Sequence, residues 1–201
     1  MADPSHDLLP DGPADGASDP IDIGKRVREL RAARRWTLEE ASRHTGLARS
    51  TLSKIERNQM SPTFDVLQRL ARGLGVDLTE VFATREPSAT ARLSITRRGR
   101  GHPHADEHYA HEFLCTDLAH KRMLTFTSRV LARSVQAFDA LARHEGEEFL
   151  YVLEGTVTLH TEFYKPVTLD AGDSVYYDSR MGHACVSAGE ADALVLWVCT
   201  N

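Results

Sequence analysis

Apolar residues in the first half of the chain recur every three or four positions, which is the spacing of amphipathic helices. The residues that define these faces are Ile23, Val27, Leu30, Leu52, Ile55, Val66, Leu67, Leu70 and Leu74. The pattern predicts five short helices within residues 21–83, the last of them ending near Phe82. Leucine-rich inner faces of this length predict a compact helical bundle.

Boundary signals mark where two of these helices begin and end. Thr37 and Glu40 are three residues apart, as in a capping box, so a helix is predicted to start immediately after Thr37. Gly46 is predicted to end it, because the chain turns there through a left-handed conformation. Ser61 and Pro62 predict a cap and a first helical residue for a later helix.

Beyond Met123 the pattern changes to short runs rich in Val, Leu, Thr, Tyr and Phe. Such runs predict strands, and Gly155, Gly172 and Gly189 mark turns between them. The predicted strands are 149–154, 156–160, 167–169, 174–177, 184–187 and 193–198. Many short antiparallel strands in about 90 residues predict a sandwich or a small barrel. The fold class is therefore α + β, with two domains.

Charge is distributed unevenly along the chain. The whole sequence has a net charge of −5, but residues 21–85 carry a net charge of +5. This local excess is typical of a module that binds the phosphate backbone of DNA. Residues 1–20 contain five aspartates and no Lys or Arg, so we predict an acidic, disordered tail.

A linker is predicted between the two domains, over residues 84–110, because prolines and glycines interrupt any periodic pattern there. The linker contains His102, His104 and His108. Their irregular spacing favours solvated side chains over a metal site. The second domain is then predicted to cover residues 111–201.

Three widely spaced cysteines, Cys115, Cys185 and Cys199, do not suggest a disulfide framework. Free thiols are typical of a reducing compartment, so we expect a cytoplasmic protein. The sequence shows no apolar segment with the length of a signal peptide or a membrane span, and no membrane partner is expected.

The third predicted helix exposes cationic and hydroxyl side chains that fit a major groove. Charged helix positions are usually just solvated, so the surrounding pattern decides the interpretation. Residues 21–83 resemble a lambda-repressor-like helix-turn-helix domain of the xenobiotic-response-element (XRE) class, through the run 50–58 followed by 61–63. Ala41 and Ser42 depart mildly from that family, away from the DNA-facing positions.

This resemblance implies a five-helix bundle that binds double-stranded DNA. It implies base contacts from Arg49 and Ser50, with Lys54 next, whereas Thr37, Arg57 and Asn58 are expected at phosphates. The full expected set is Thr37, Arg49, Ser50, Thr51, Ser53, Lys54, Arg57 and Asn58.

A second resemblance lies in the strand-rich half. His144 and Glu148, with six residues between Glu148 and Gly155, followed by Gly172 and later His183, resemble the two-part signature of the cupin barrel. That resemblance implies an antiparallel β-barrel, the double-stranded β-helix, whose interior binds metal through three histidines and one glutamate.

The sequence departs from the cupin pattern at the first histidine position, which is Ala142. His144, Glu148 and His183 remain and could hold one divalent metal, iron(II) as a facial triad or zinc with a different geometry. Cys185 is two residues from His183 and shares its face in a strand, so a thiol could also enter the cavity. The alternative is a metal-free pocket in which Glu148 and His183 bind an organic effector.

The order of the two domains along the chain leads to an expected function. A helix-turn-helix followed by a cupin resembles one-component bacterial transcription regulators, in which the barrel senses a small molecule and dimerises. The resemblance implies a homodimer on an inverted-repeat operator, with recognition helices about 34–36 Å apart.

An enzyme is the alternative. The same domain order and the same reduced ligand set, His144, Glu148 and His183, resemble the mononuclear iron enzyme hydroxypropylphosphonate epoxidase. In that case a cationic side chain would bind an anionic substrate, and the candidates are Lys121, Arg122 and Arg180. The recognition-helix pattern favours the regulator, because an enzyme has no use for it.

Overall fold

A computed structural model describes residues 22–82, 92–118 and 121–200. The predicted acidic tail and the first part of the predicted linker lie outside these ranges. Within them the order is helices first and strands afterwards, so the α + β fold class is confirmed. No helix in the described ranges combines the length and the hydropathy that crossing a bilayer requires.

Residues 22–82 contain four helices of two turns or more, and the predicted fifth helix is only a single turn. They are α1 (Ile23–Ala33), α2 (Leu38–Thr45), α3 (Arg49–Glu56), α4 (Phe64–Leu74) and the single turn α5 (Leu78–Val81). The capping box before α2 is present, since the Glu40 amide donates to Thr37 Oγ1 and Glu40 accepts from the Thr37 amide. Gly46 ends α2 with a left-handed φ of 66°.

In the described part of the second half, nine strands form two antiparallel sheets. They are β1 (His102–Ala105), β2 (Tyr109–Leu114), β3 (Met123–Val130), β4 (Glu147–Glu154), β5 (Thr156–Thr161), β6 (Val167–Asp170), β7 (Ser174–Asp178), β8 (His183–Ser187) and β9 (Ala193–Thr200). One sheet has the order β1-β2-β3-β9-β4-β7 and the other β6-β5-β8. The six predicted strands match β4 to β9 to within two residues at each end.

The hydrogen bonds between the described strands do not form the closed barrel that the sequence predicts. Between described residues, strand pairing gives two separate sheets with edge strands β1 and β7, and β6 and β8. The register of β4 against β9 shifts between Val152 and Glu154, which lets β4 bend at its end. The strand-rich half is therefore a sandwich of two sheets that face each other across an interior.

Helix α4 does not begin at Pro62 as the sequence predicts. Thr63 is its N-cap and the helix starts at Phe64. The reason is tertiary: Ser61 Oγ donates to the carbonyl of Ala105, and the Pro62 carbonyl accepts a hydrogen bond from His104. The residues before α4 are thereby held against β1.

The predicted linker also differs from the structure, because β1 and the start of β2 lie inside residues 84–110. His104 and His108 are buried rather than solvated. Burial against the helical half explains this for His104, and the His108 ring stacks on Phe138 with centroids 4.1 Å apart. Pro103 is tolerated because β1 is an edge strand.

Phe64, the first residue of α4, joins the two halves. Its ring lies 5.1 Å from Phe126 and 6.3 Å from Phe113, measured between centroids. Phe113 in turn lies 3.9 Å from Phe82, at the end of the helical half. The apolar core therefore runs continuously from the bundle into the sandwich.

Candidate functional site

An exposed groove runs between the start of α2 and the outer face of α3. Six of the eight residues expected to contact DNA line it together: Thr37, Arg49, Ser50, Ser53, Lys54 and Arg57. The spacing of α3 explains this, because Leu52 and Ile55 are almost fully buried and turn the polar residues outward. Thr51, which is half-buried, lies outside the groove.

A bidentate ion pair fixes the end of α3 to α1. Arg31 Nε lies 2.6 Å from Glu56 Oε1, and Arg31 Nη2 lies 2.8 Å from Glu56 Oε2. The remaining nitrogen of Arg31 donates to the Trp36 carbonyl at 2.7 Å. The hydrogen bonds that Arg31 donates to Glu56 raise the pKa of Arg31. This planar double contact holds the orientation of the exposed α3 face.

Asn58, expected at a phosphate, has its side-chain amide engaged within the domain. Its Oδ1 accepts from the Gly24 amide at 3.2 Å, and its Nδ2 donates to Asp22 Oδ1 at 2.8 Å. Its backbone has a left-handed φ of 54°. Asn58 thus closes the turn after α3 and anchors the start of α1.

The three expected cupin ligands come together inside the sandwich. His144 precedes β4, Glu148 lies on β4 and His183 begins β8. Glu148 Oε1 lies 2.8 Å from His144 Nε2 and 3.7 Å from His183 Nε2. One ligand atom from each residue lies within 4.8 Å of the other two.

Hydrogen bonds on the far side of each ligand orient this cluster. His144 Nδ1 lies 3.0 Å from the Glu145 carbonyl, and His183 Nδ1 lies 2.9 Å from the Met181 carbonyl. Since a carbonyl only accepts, each Nδ1 carries hydrogen and each Nε2 is directed at the cluster. The Tyr177 hydroxyl donates to Glu148 Oε2 and leaves Oε1 facing the histidines.

Burial and contacts between the three ligands shift the pKa of each of them. Burial acts to raise the pKa of Glu148, but the bond from His144 and the charge of His183 outweigh it and the pKa is lowered. Burial acts to lower the pKa of His144, but its contact with Glu148 raises the pKa overall. For His183 burial prevails and the pKa is lowered.

These donors fit a divalent metal. Two imidazoles and a carboxylate, each oriented by a partner behind it, form the arrangement that metal sites use. Ala142 pairs with His183 through two backbone hydrogen bonds of 2.9 and 3.0 Å, so the first cupin position offers only a methyl group. A metal held by these three residues would keep positions open for a ligand.

Cys185 lines the same cavity but does not join the ligand cluster of the described residues. Burial raises the pKa of its thiol far above the usual value, so the sulfur stays protonated. Its backbone amide and carbonyl both bind the Tyr109 hydroxyl, at 3.2 and 2.9 Å.

A cavity of about 520 Å³ surrounds the cluster, within the range of about 300–1,000 Å³ typical of small-molecule sites. Both halves of the chain form its wall. Besides the ligands His144 and His183, the aromatic members of the wall are Phe64, His108, Tyr109, His111, Phe126, Phe138 and Trp197.

The sequence patterns do not indicate two residues of the cavity wall, Phe64 and His111. Phe64 belongs to the helical half, so no motif of the strand-rich half indicates it. His111 is held by Ser128 Oγ at 2.6 Å from its Nδ1, whereas its buried Nε2 has no hydrogen-bond partner among the described residues. Burial lowers the pKa of His111 to about 3, so its ring is neutral and can bond a ligand.

Comparison with known proteins agrees with this two-part structure. The helix-turn-helix (HTH_3) family model matches residues 27–81, and the cupin domain model matches residues 135–199. The chain is 26% identical to the HTH-type transcriptional regulator PuuR of Escherichia coli (strain K12) over 166 residues, which cover 80% of this chain and 85% of that protein.

Two further relatives are informative. The HTH-type transcriptional regulator SutR of the same strain is 38% identical over 68 residues, covering 34% of this chain and 38% of that protein. The crystal structure of an HTH_3 family transcriptional regulator from Vibrio cholerae superimposes with a TM-score of 0.63 at 20% identity, covering 90% of this chain and 95% of that one. The chain therefore combines a helix-turn-helix domain of the HTH_3 family with a C-terminal cupin domain.

Proposed function

We propose that this DNA-binding regulator recognises an inverted-repeat operator as a homodimer and senses a small molecule in the cavity between its two domains. The observation that carries the proposal is the position of that cavity. Its wall includes the ligand cluster of the cupin domain and also Phe64 of α4, which belongs to the DNA-binding domain.

DNA recognition is assigned to the groove beside α3. Arg49 and Ser50 lie at the exposed start of α3 and are proposed to contact base edges, with Lys54 one turn further on. Thr37 and Arg57 line the flanks of the groove and are proposed to contact phosphates, which orient the helix without specifying sequence.

The phosphate contacts are tested by the salt dependence of duplex binding. Arg57→Ala should lower the slope of log affinity against log salt by about 0.9, because it removes one charged phosphate contact. Arg28→Ala is the matched control, since Arg28 is exposed on α1 outside the groove. A slope for Arg57→Ala equal to that of Arg28→Ala would rule out Arg57 as a phosphate contact.

We base the sensing of a small molecule on the cavity wall that the two domains share. α4 begins in the cavity wall and packs against α2, which in turn packs against α3. A ligand that fits the cavity better in one arrangement of the two domains shifts the population toward that arrangement. By linkage, DNA that favours an arrangement must alter ligand affinity by the same factor.

His144, Glu148 and His183 are proposed to hold one divalent metal in this cavity. A bound ion would supply Lewis acidity and coordinate a ligand at its open positions. Iron(II) or zinc titration should give about one ion per chain, and His183→Ala should abolish it. His160→Ala, on β5 outside the cluster, is the control. If the wild type binds no metal, the metal proposal fails and the cavity is left as a site for an organic ligand alone.

A second candidate function rests on the same three ligands, because a facial triad with open positions also suits an oxygen-using iron enzyme. The expected substrate-binding cations do not support it. The ammonium group of Lys121 binds the carbonyls of Leu114 and Cys115, and Arg180 pairs with Asp178 at 2.6 Å. None of Lys121, Arg122 and Arg180 lines the cavity. Oxygen consumption by the iron-loaded protein tests this candidate.

A further inference from the structure

The outer face of the six-stranded sheet is rich in exposed apolar side chains. Phe149, Tyr151 and Leu153 of β4 are 36%, 36% and 40% exposed, and Tyr176 of β7 is 62% exposed. Their alternation places them on the face opposite Leu150, Val152 and Tyr177, which are buried.

Strand register arranges this face in rows centred on β9. One row runs Leu114, Thr125, Val198, Phe149, Tyr176 across five strands. The next row on the same face runs Glu112, Thr127, Leu196, Tyr151, Ser174. A third runs Ala110, Arg129, Leu194, Glu154.

The rows are asymmetric about β9 in a way that suits self-association. On the β4 side stand the large rings of Phe149 and Tyr151, and at the same levels on the β3 side stand the small side chains of Thr125 and Thr127. At the end of the face, Arg129 and Glu154 flank Leu194 on opposite sides. Neither of them forms an ion pair with another described residue.

We propose that two copies of the chain pack through this face, about a two-fold axis that runs along β9. Such an axis places β3 of one copy over β4 of the other. The rings of one copy then cover the threonines of its partner, and Arg129 meets the partner's Glu154 twice by symmetry. The proposal rests on the proposed function, in which a dimer recognises an inverted repeat, and assigns its interface.

The face is large enough for a stable dimer. Five strands about 4.8 Å apart and eight residues of about 3.3 Å each give a flat footprint of roughly 600 Å² per copy. Side-chain relief enlarges the accessible area, which brings it near the roughly 800 Å² per partner of a standard interface. An apolar centre with a charged pair at its rim is also the usual interface composition.

Charge reversal tests the axis directly, using sedimentation equilibrium of the full-length protein. Arg129→Glu and Glu154→Arg each place like charges together twice, so each should raise the dimer dissociation constant roughly tenfold or more. The double variant restores opposite charges and should return the constant to near the wild-type value. Single variants that dimerise like the wild type, or a double variant without rescue, would overturn the proposal.

The apolar part is tested with a matched pair of variants. Tyr151→Asp introduces a charge in the centre of the face and should dissociate the dimer. Phe163→Asp does the same at a side chain that is 71% exposed outside this sheet and should leave the dimer intact. Circular dichroism confirms that each variant is folded, and the charge-reversal pair provides the result if Tyr151→Asp is not.

Failure of this interface and failure of the regulator function give different results. If the wild type is a dimer that the charge reversals do not disturb, the interface is wrong while operator binding is untouched. If the reversals dissociate the dimer and no operator sequence is ever enriched, the interface stands and the proposed function fails. A monomeric wild type at operator-saturating concentration would refute the interface.

Discussion

Phe64→Ala tests whether the DNA-binding domain closes the effector cavity. The ring contacts His111 at 5.9 Å and His144 at 6.2 Å in addition to Phe126, all measured between centroids. Truncation of a fully buried Phe costs about 3–5 kcal/mol. Phe64 is only half-buried, so roughly 2 kcal/mol of domain docking should be lost, which lowers the ratio of docked to undocked protein about 30-fold.

Trp197 is a built-in reporter for this change. It is 6% exposed and stacks on Phe126 at 5.8 Å between centroids. The chain has two tryptophans, so Trp36→Phe leaves Trp197 as the single emitter. Phe64→Ala in that background should shift its emission to the red and increase quenching by acrylamide, because water enters the opened cavity.

The control is Phe64→Leu, which keeps an apolar side chain in the wall and should preserve most of the protection. The helical signal of both variants should match the wild type, since the buried positions of α4 are Leu67, Leu70, Ala71 and Leu74 rather than Phe64. Unchanged Trp197 emission and quenching in Phe64→Ala would show that the helical domain does not close the cavity.

Three other changes test separate parts of the structure. Arg49→Ala should cost about 1–3 kcal/mol of operator affinity and relax one operator position, and an unchanged sequence preference would remove Arg49 from base recognition. Tyr177→Phe removes the donor to Glu148 Oε2 and should weaken metal binding roughly 10- to 100-fold, with wild-type affinity in a metal titration as the contrary result. Glu56→Ala strands the largely buried guanidinium of Arg31 and should cost about 3 kcal/mol in urea unfolding, so a loss below about 1 kcal/mol would contradict the role of that pair.

Local chemistry made much of the structure predictable. The capping box of Thr37 and Glu40 and the left-handed turn at Gly46 depend on residues a few positions apart, and both are present. The strands β4 to β9 follow from their composition and from the intervening glycines. The spacing of the signature also predicted that His144, Glu148 and His183 share one site. They meet across the interior, because His144 lies just before β4, Glu148 lies at its start, and the Ala142–His183 bridge holds the start of β8 beside them.

What the sequence did not indicate depends on contacts between distant segments. Phe64 and His104 are buried or shielded by the opposite domain, so their neighbours along the chain carry no signal of that role. Conversely, Tyr151 and Tyr176 look like packing residues by type, yet alternation along β4 and β7 turns them to the outer face. The two-sheet arrangement without a closed barrel likewise depends on register, which composition does not determine.

Selection of bound fragments from a random duplex DNA pool, at about physiological salt, tests the central claim most directly. The account predicts enrichment of an inverted repeat whose half-sites lie about one helical turn apart, or a multiple of it. Metal analysis of the same preparation accompanies the selection. Salt-sensitive binding without any enriched sequence, in a protein that carries about one iron per chain, would contradict the regulator and favour the oxygen-using enzyme.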